Sequence, residues 1–279
     1  MGVRSDAAVR VDALVKITWL GHSSVLLEVD GVRLLADPLL RDRVGVLRRT
    51  EPVPESDALG PTGVEAVLLS HLHDDHCDLR SLRRLDAAVV VAAPGAGRWL
   101  TARGVRRVVE LRPGTSMAVG PILVHAVRAE HDGRRRPWGP PVCAVGHVVT
   151  GTASAWLAGD TAPHEGMPSV SEIAGLPGPD LAVLPVWGWG PRLGPGHLNP
   201  AQAAEAALLV RARYAVPVHW GTLYPVGLRR VMRRRLVDPG PEFAATVTAL
   251  GERRDRGLGA LPLVSVLPVG GSLQVVGRR

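Results

Sequence analysis

The chain has 279 residues, of which 46% are hydrophobic and 21% charged, so it can bury a full core without disulfides and is not a disordered protein. No apolar run reaches the length of a transmembrane helix, and the two cysteines agree with a reducing compartment, for which we expect the cytoplasm. The net charge of +7 comes almost entirely from arginine, which permits but does not require an anionic partner.

The first part of the chain predicts a short tail followed by a β-rich domain. Residues 1–14 contain no apolar signal core, and residues 15–279 are expected to form a single domain. Residues 15–19, 25–29 and 32–36 are β-prone runs that precede the first helix. Because later strands alternate with helices, the order favours an α/β fold with two sheets packed face to face and helices outside both, a four-layer αββα sandwich.

A histidine cluster follows the next apolar run, residues 64–70, which predicts a buried strand. The cluster contains His71, His73, Asp75 and His76, and neutral imidazole and carboxylate are ligand types that hold zinc and its neighbours. If the strand continues through His73, alternation points His71 and His73 to the same side. A lone histidine is usually a packed or surface residue, but this spacing at the end of a strand indicates a metal site. A structural zinc site would favour cysteine-rich spacing, which the chain lacks.

Two further strand ends carry candidate ligands. His131 stands after a strand-like run at residues 122–127, whereas its competitor His125 lies inside that run and is better explained as a packed strand residue. Asp160 ends a short buried run at residues 155–158, and a carboxylate there needs a charge partner or water. The alternative for Asp160 is an ordinary turn or helix-capping aspartate.

The segment from His197 to His219 predicts a helix and a returning strand. Asn199 can cap a helix over residues 201–213, which are rich in alanine and leucine. Residues 214–218 then return as a strand that places His219 at its end. His197 precedes the helix and is a candidate general acid or substrate hydrogen-bond donor, with a solvated loop histidine as the alternative.

Several short motifs, taken together, are typical of one family. They are Thr18-Trp19-Leu20-Gly21-His22, Leu34-Leu35-Ala36-Asp37-Pro38, the histidine cluster, Ala158-Gly159-Asp160-Thr161, His197-Leu198-Asn199-Pro200 and His219-Trp220-Gly221-Thr222. Through these motifs most of the chain resembles the metallo-β-lactamase fold superfamily. The last three motifs together resemble the branch that contains N-acylphosphatidylethanolamine phospholipase D and the L-ascorbate-6-phosphate lactonases.

The resemblance implies a site for two divalent metal ions, with zinc as the first choice and manganese or iron as alternatives. It implies three groups of residues: His71, His73 and His131 for the first metal; Asp75, His76 and His219 for the second; and Asp160 bridging both. It also implies catalytic roles for Asp75, Asp160 and His197. His22 and Asp37 are candidates to orient the ligand imidazoles.

The function expected from such a site is hydrolysis. Two close cations lower the pKa of a bound water, so that a metal-bound hydroxide attacks a phosphoester, ester or lactone, here of a small anionic metabolite. The first alternative is a phospholipase D-like phosphodiesterase acting on a lipid, which predicts an apolar groove that leads to the metals. The second is a nucleic-acid-binding protein or nuclease, which we do not expect because only 4% of residues are aromatic. The sequence is compatible with a homo-oligomer.

Three arginine clusters and a tryptophan pair remain. The clusters lie at residues 41–49, 134–136 and 229–235, and a solvated face is the first interpretation of each. The middle cluster could bind a substrate anion, and the last could give peripheral contact with an anionic membrane. Trp187 and Trp189 could line an apolar substrate pocket or pack as a pair. Cys77 is interpreted as a small buried hydrophobe.

Overall fold

Two seven-stranded sheets form the body of the structure, a computed structural model that describes residues 14–55, 63–85, 89–253 and 260–278. The strands, in chain order, are β1 (Leu14–Gly21), β2 (Ser24–Val29), β3 (Val32–Ala36), β4 (Arg43–Val44), β5 (Leu47–Arg49), β6 (Ala66–Leu69), β7 (Val89–Ala92), β8 (Val108–Glu110), β9 (Ser116–Val119), β10 (Ile122–Asp132), β11 (Cys143–Thr150), β12 (Ser154–Leu157), β13 (Leu181–Pro185), β14 (Tyr214–Val218), β15 (Leu223–Pro225), β16 (Leu263–Val264) and β17 (Ser272–Val276). The helices are α1 (Leu79–Arg84), α2 (Gly97–Thr101), α3 (Ser169–Ala174), α4 (Pro200–Leu209), α5 (Arg233–Val237) and α6 (Pro239–Arg253).

Each large sheet mixes antiparallel hairpins with parallel strands. The first sheet has the order β17-β1-β2-β3-β6-β7-β8, and the second has the order β16-β14-β13-β12-β11-β10-β9. A third, small sheet has the order β15-β5-β4. The C-terminal residues 263–276 contribute one strand to each of the two large sheets. Residues 1–13 of the predicted N-terminal tail lie outside the described residues, and Leu14, its last residue, begins β1.

The alternation of side chains along β6 shows how the layers are stacked. Ala66 and Leu68 belong to the large core that also contains buried residues of the second sheet, so this core lies between the sheets. Val67 and Leu69 belong to a separate core with buried residues of α1 and α2, on the other face of the first sheet. Both faces of the strand are therefore buried, which explains why its sequence is continuously apolar. The predicted αββα sandwich is confirmed.

Helix α4 covers the second sheet and positions the loop that precedes it. Asn199 caps the helix through a capping box with Gln202, and Pro200 occupies the first turn, as the sequence predicts. The helix ends at Leu209 rather than at residue 213, because Arg211 adopts a left-handed backbone (φ 53°). The chain then turns into β14, and the backbone N–H of Arg213 donates to the carbonyl of Pro179.

Phe243, on α6, offers a test of the packing on the second sheet. Its side chain is fully buried in the large core, so Phe243→Ala should lower the free energy of unfolding by about 3–5 kcal/mol through lost burial and the cavity left behind. Leu209→Ala, at an exposed apolar position on α4, should change it by no more than about 0.5 kcal/mol. Urea unfolding of both variants measures the difference, and equal small losses would show that α6 does not pack as described.

Candidate metal centre

The candidate metal centre lies where several strands end at one end of the sandwich. His71 follows β6, Asp160 follows β12, and His219 follows β14 directly. His131 is the penultimate residue of β10. Since β12, β13 and β14 run parallel, their carboxyl ends meet at the same edge of the second sheet. The fold therefore brings together side chains that are far apart in sequence.

Strand β6 ends at Leu69, so the expectation that strand alternation aligns His71 with His73 is wrong. The N–H of Ser70 leaves the sheet ladder and donates to Oδ1 of Asp37 at 2.8 Å. The N–H of Leu72 donates to the carbonyl of Gly133 at 3.0 Å, and the Leu72 side chain is buried as predicted. A loop fixed by these two bonds, rather than a strand, brings the two imidazoles together.

The first group of side chains consists of three imidazoles. Nε2 of His71 lies 2.9 Å from Nδ1 of His73, and Nε2 of His131 lies 3.1 Å from the same Nδ1. His71 is fully buried, whereas His73 and His131 are partly exposed. One side of this group is therefore open to an incoming molecule.

The second group is deeply buried and contains a carboxylate. Nε2 of His76 lies 3.1 Å from Nε2 of His219. Oδ2 of Asp75 lies 3.7 Å from the first of these nitrogens and 3.6 Å from the second. All three side chains are buried.

Asp160 lies between the two groups and reaches both. Oδ1 is 3.3 Å from Nε2 of His219, in the second group. Oδ2 is within 4.0 Å of four further imidazole nitrogens, those of His76 (3.2 Å), His197 (3.3 Å), His131 (3.9 Å) and His71 (4.0 Å). Five imidazoles therefore lie around this one carboxylate, those of His71, His76, His131, His197 and His219. His73 and Asp75 join the cluster through their contacts with these imidazoles.

Outer hydrogen bonds fix which nitrogen of each imidazole faces the cluster. Nδ1 of His131 donates to the carbonyl of Gly196 (2.8 Å), and Nδ1 of His219 donates to the carbonyl of Trp187 (2.9 Å). Nδ1 of His76 donates to Oδ2 of Asp37 (2.8 Å). A carbonyl or carboxylate oxygen can only accept, so these bonds place the proton on Nδ1.

His71 and His197 are oriented in the same way. The hydroxyl of Ser70 donates to Oδ2 of Asp37 (2.6 Å), so its oxygen accepts from Nδ1 of His71 (2.9 Å). Nδ1 of His197 donates to the carbonyls of residues 194 and 195. In the neutral form each of these rings therefore presents a lone pair on Nε2 to the cluster, which is the arrangement that metal-binding histidines adopt.

This arrangement fits a bound cation. Nε2 of His76 and Nε2 of His219 face each other at 3.1 Å while an outer oxygen accepts from Nδ1 of each ring, so a positive charge must lie between the two nitrogens. Burial lowers the pKa of His76, but the carboxylates of Asp160, Asp75 and Asp37 outweigh it and raise the pKa well above its usual value, so a proton takes this place when no metal is bound. Oδ1 of Asp160 is buried without a hydrogen-bond partner. Hard oxygen and borderline nitrogen donors together suit zinc, manganese or iron.

Burial and the neighbouring charges set the protonation states. Burial lowers the pKa of His71 well below its usual value and that of His131 to about 4, so both rings are neutral near pH 7. Burial raises the pKa of Asp160, but the imidazoles of His219 and His76 outweigh it and hold the pKa well below the ordinary range. Neutral imidazoles around an ionised carboxylate are the forms that bind a divalent cation.

His22 and Asp37 support the cluster in two different ways. Asp37 bonds an imidazole, that of His76, as expected. His22 instead bonds a carboxylate: its Nε2 lies 2.8 Å from Oδ2 of Asp75, and burial lowers its pKa to about 3, so the neutral ring donates. Its ring also lies 4.0 Å from that of His219, centroid to centroid.

Three residues of the site, the predicted ligand His219 and the supporting His22 and Asp37, adopt the left-handed backbone conformation that favours glycine. The φ angles are 54° at His22, 40° at Asp37 and 62° at His219. Hydrogen bonds hold these conformations: the N–H of His219 donates to the carbonyl of His22, and the N–H of His22 donates to the hydroxyl of Thr222. No sequence pattern indicates these bonds, because they join segments about 200 residues apart.

Other candidates lie outside the cluster. Nε2 of His125 bonds the hydroxyl of Thr150 at 3.0 Å across neighbouring strands, as expected for a packed strand residue. Cys77 is buried, and burial raises the pKa of its thiol to about 12, in agreement with its interpretation as a hydrophobe. Trp187 is packed, whereas Trp189 is partly exposed and lines a cavity, so the two tryptophans do not share one role.

Two cavities open beside the cluster. A groove of about 700 Å³ is lined by His131, Asp132, Arg134, Arg136 and nearby loop residues. A pocket of about 360 Å³ is lined by His73, Asp74, Asp75, Arg136, Trp189 and the segment Val44, Gly45, Val46 and Leu47. Arg136 lines both, so it stands between a cationic groove and a mainly apolar pocket.

The arginine clusters differ from a uniformly solvated face. Arg136 pairs with Asp132 at 3.1 Å on the surface, and Arg135 pairs with Asp74. Arg49, in the first cluster, is buried, and burial lowers its pKa to about 10. The arginines at residues 229, 230 and 233–235 are exposed.

Comparison with known proteins identifies relatives over most of the chain. A model of the Beta-lactamase superfamily domain matches residues 32–220. A metal-dependent hydrolase of Methanopyrus kandleri is 30% identical over 251 residues, which cover 87% of this chain and 100% of that protein. An N-acyl-phosphatidylethanolamine-hydrolyzing phospholipase D of Caenorhabditis elegans is 31% identical over 241 residues, which cover 75% of this chain and 64% of that protein.

A solved structure shows the same fold. Igni18, a metallo hydrolase from the archaeon Ignicoccus hospitalis, superposes with a TM-score of 0.68 at 22% identity, over 94% of this chain and 98% of that one. The resemblance drawn from the sequence is confirmed by these matches. Within the described residues, none of the helices is both long and apolar enough to cross a bilayer.

Asp37 offers a test of the outer hydrogen bonds. Asp37→Asn replaces one carboxylate oxygen with an amide donor, which cannot accept from Ser70 and His76 as the carboxylate does. The variant should bind zinc about 10- to 100-fold more weakly in a titration against a competing chelator. Asp30→Asn, which changes a carboxylate bonded to residue 152 and remote from the cluster, is the matched control and should leave the affinity unchanged.

Proposed function

The chain belongs to the beta-lactamase superfamily and is a metal-dependent hydrolase, and on this premise we propose that it uses two divalent cations to hydrolyse a phosphoester, ester or lactone bond of an anionic substrate. The observation that carries the proposal is the position of Asp160, whose two oxygens reach both groups of imidazoles. A single cation would leave one of these groups unused.

In this proposal His71, His73 and His131 hold one cation, and Asp75, His76 and His219 hold the other. Asp160 is shared. When bound, two such cations make a water molecule nucleophilic near neutral pH and stabilise negative charge on a phosphoryl or carbonyl oxygen. Zinc is our first choice for this donor set, with manganese or iron as alternatives.

His197 is proposed to supply a proton to the leaving group. Nε2 of His197 lies 3.3 Å from Oδ2 of Asp160, and the ring is partly exposed, so a substrate can reach it. Burial lowers the pKa of His197, but the bond to Asp160 outweighs it and raises the pKa above its usual value. A raised pKa favours the protonated ring, and a protonated ring can act as a general acid.

The anionic character of the substrate is inferred from the groove. Arg134 and Arg136 line it together with His131, so positive charge is concentrated beside the first group of imidazoles. Arginine suits phosphate and carboxylate because its planar guanidinium donates two parallel hydrogen bonds. The surface pair between Arg136 and Asp132 would be exchanged for the substrate at little cost, since exposed ion pairs are weak.

A lipid phosphodiester is the second candidate, and a specific observation favours it. The pocket beside His73 and Asp75 has an apolar wall made by Val44, Leu47 and Trp189, which suits an acyl chain better than a small polar metabolite. The named activity of the relative from Caenorhabditis elegans agrees with this candidate. Faster turnover of an N-acylated phosphatidylethanolamine than of bis-p-nitrophenyl phosphate would favour the lipid phosphodiester over the small anionic metabolite.

We propose the cytoplasm as the compartment, because both cysteines are free thiols. Cys77 is buried beside His76, whereas Cys143 is exposed. A reducing environment keeps such an exposed thiol from forming a disulfide with another molecule.

Asp160→Ala is the sharpest test of the dinuclear site. Removal of the shared carboxylate should abolish turnover of bis-p-nitrophenyl phosphate and lower the zinc content per chain, while the circular dichroism stays largely unchanged. The carboxylate of Glu165, which is on the surface with a side chain 91% exposed, provides the control: Glu165→Ala should retain both activity and metal. Full activity in the Asp160 variant would refute the shared-ligand role.

Arg136→Gln tests the anionic substrate. The variant should lose about tenfold in kcat/KM for an anionic substrate such as bis-p-nitrophenyl phosphate, mainly through KM, because a charge-assisted hydrogen bond is lost. Turnover of the neutral ester p-nitrophenyl acetate should change little. Arg112→Gln, at an exposed arginine between β8 and β9, is the matched control. Equal losses on both substrates would show that Arg136 acts through the fold and does not bind the anionic group of the substrate.

A further inference from the structure

A group of apolar side chains is exposed around the small third sheet. Val46 is 68% exposed, Val226 52%, Leu228 41% and Val231 72%. The N–H of Val226 donates to the carbonyl of Val46 at 2.9 Å, so the two valines stand side by side at the tips of their turns. Apolar side chains that cluster on a surface in this way mark a site of contact with another apolar phase.

Arginines surround these side chains. Arg43 pairs with Arg48 across β4 and β5, and Arg48 pairs with Tyr224 across β5 and β15, so the three side chains lie on the same face of the small sheet. The guanidinium of Arg229 lies over the ring of Tyr224, 5.8 Å from its centroid. Seven exposed arginines come from the two segments: Arg43, Arg48, Arg229, Arg230, Arg233, Arg234 and Arg235.

Within the two segments, which Asp42, Glu51 and Asp238 flank, the charged residues are all arginines. Residues 43–50 and 223–237 contain no aspartate, glutamate or lysine. In the described part of the chain none of the seven arginines forms an ion pair with a carboxylate. We call the seven arginines and the four apolar residues Val46, Val226, Leu228 and Val231 the arginine–valine face.

The arginine–valine face adjoins the metal centre. Val46 also lines the pocket that contains His73 and Asp75, so the exposed apolar surface continues into that pocket. The guanidinium of Arg235 lies 4.2 Å from the ring centroid of Trp187, whose carbonyl holds His219. Trp138, 89% exposed, belongs to the loop that contributes Arg136 to the same pocket.

We propose that the arginine–valine face docks the protein on an anionic lipid bilayer, with its valines in the headgroup layer, its arginines on lipid phosphates, and the mouth of the apolar pocket turned towards the membrane. The combination of protruding apolar side chains with a ring of unpaired arginines fits the interface of an anionic leaflet. Nucleic acid would use the arginines but gain nothing from exposed valines. A second copy of the chain would bring two sets of like charges together.

Vesicle flotation of the full chain tests the proposal without any need for turnover. The protein should float with vesicles of phosphatidylcholine and phosphatidylglycerol and remain behind with vesicles of phosphatidylcholine alone. Arg230→Gln and Arg233→Gln should each weaken binding about fivefold, because each arginine near an anionic surface contributes about 1 kcal/mol. Val226→Ser with Val231→Ser should weaken it about fivefold or more at the same charge, through lost apolar burial.

Matched controls separate docking from general effects. Arg112→Gln and Leu209→Ser change exposed residues outside the arginine–valine face and should leave binding unchanged. The valine variants should hydrolyse soluble bis-p-nitrophenyl phosphate at the wild-type rate, so that loss of docking is distinguished from failure of the hydrolase assignment.

Three results would overturn the proposal. The first is absence of flotation with anionic vesicles at low salt. The second is binding that the arginine variants weaken but the valine variants do not, which would indicate a purely electrostatic partner such as nucleic acid. The third is a dimer in solution that the valine variants dissociate, which would assign the face to self-association.

Discussion

The buried carboxylate of Asp160 is the constraint on which the site depends. An ionised carboxylate taken out of water is strongly destabilising unless positive charge or hydrogen-bond donors compensate it. Here the surrounding groups are imidazoles, and most of them direct a lone pair and not a proton towards the cluster. Positive charge must therefore enter the cluster, either as a proton on a ring such as His76 or as a bound cation that displaces it. Metal binding and the stability of this end of the fold are coupled for that reason.

The outer shell of hydrogen bonds is as specific as the cluster itself. A single carboxylate, Asp37, accepts from Ser70 twice and from His76 once, so it fixes the loop that carries His71 and the orientation of His76 together. The left-handed backbones at His22 and His219 are held by bonds between the two halves of the chain. Strain of this kind persists only where the surroundings determine the conformation, and it is concentrated here at the functional site.

Much of this could be predicted from the sequence, because the relevant signals are local. The apolar runs before His71 and Asp160 indicate strands, and Asn199 with Pro200 marks the start of a helix. The sequence could not show that β6 stops at Leu69, because the stop depends on Asp37, more than thirty residues away. For the same reason no local pattern indicates the bond between His22 and Asp75. Val46 and Val231 lie among arginines, and only the tertiary structure shows that they are exposed whereas the neighbouring Leu47 and Met232 are buried.

The geometry of the cavities connects the metal centre with its surroundings. Arg136 separates a cationic groove from an apolar pocket, and the apolar pocket continues onto the arginine–valine face. A substrate with an anionic group and an apolar chain would satisfy both cavities at once, whereas a small polar anion needs only the groove. The two candidate substrates thus place different demands on the same site.

Anomalous X-ray diffraction from crystals of the zinc-loaded protein would decide whether the cluster holds a metal pair. Two zinc peaks, one among His71, His73 and His131 and the other among Asp75, His76 and His219, with Asp160 touching both, are the expected result. A single peak, or zinc bound elsewhere in the chain, would contradict the shared role of Asp160.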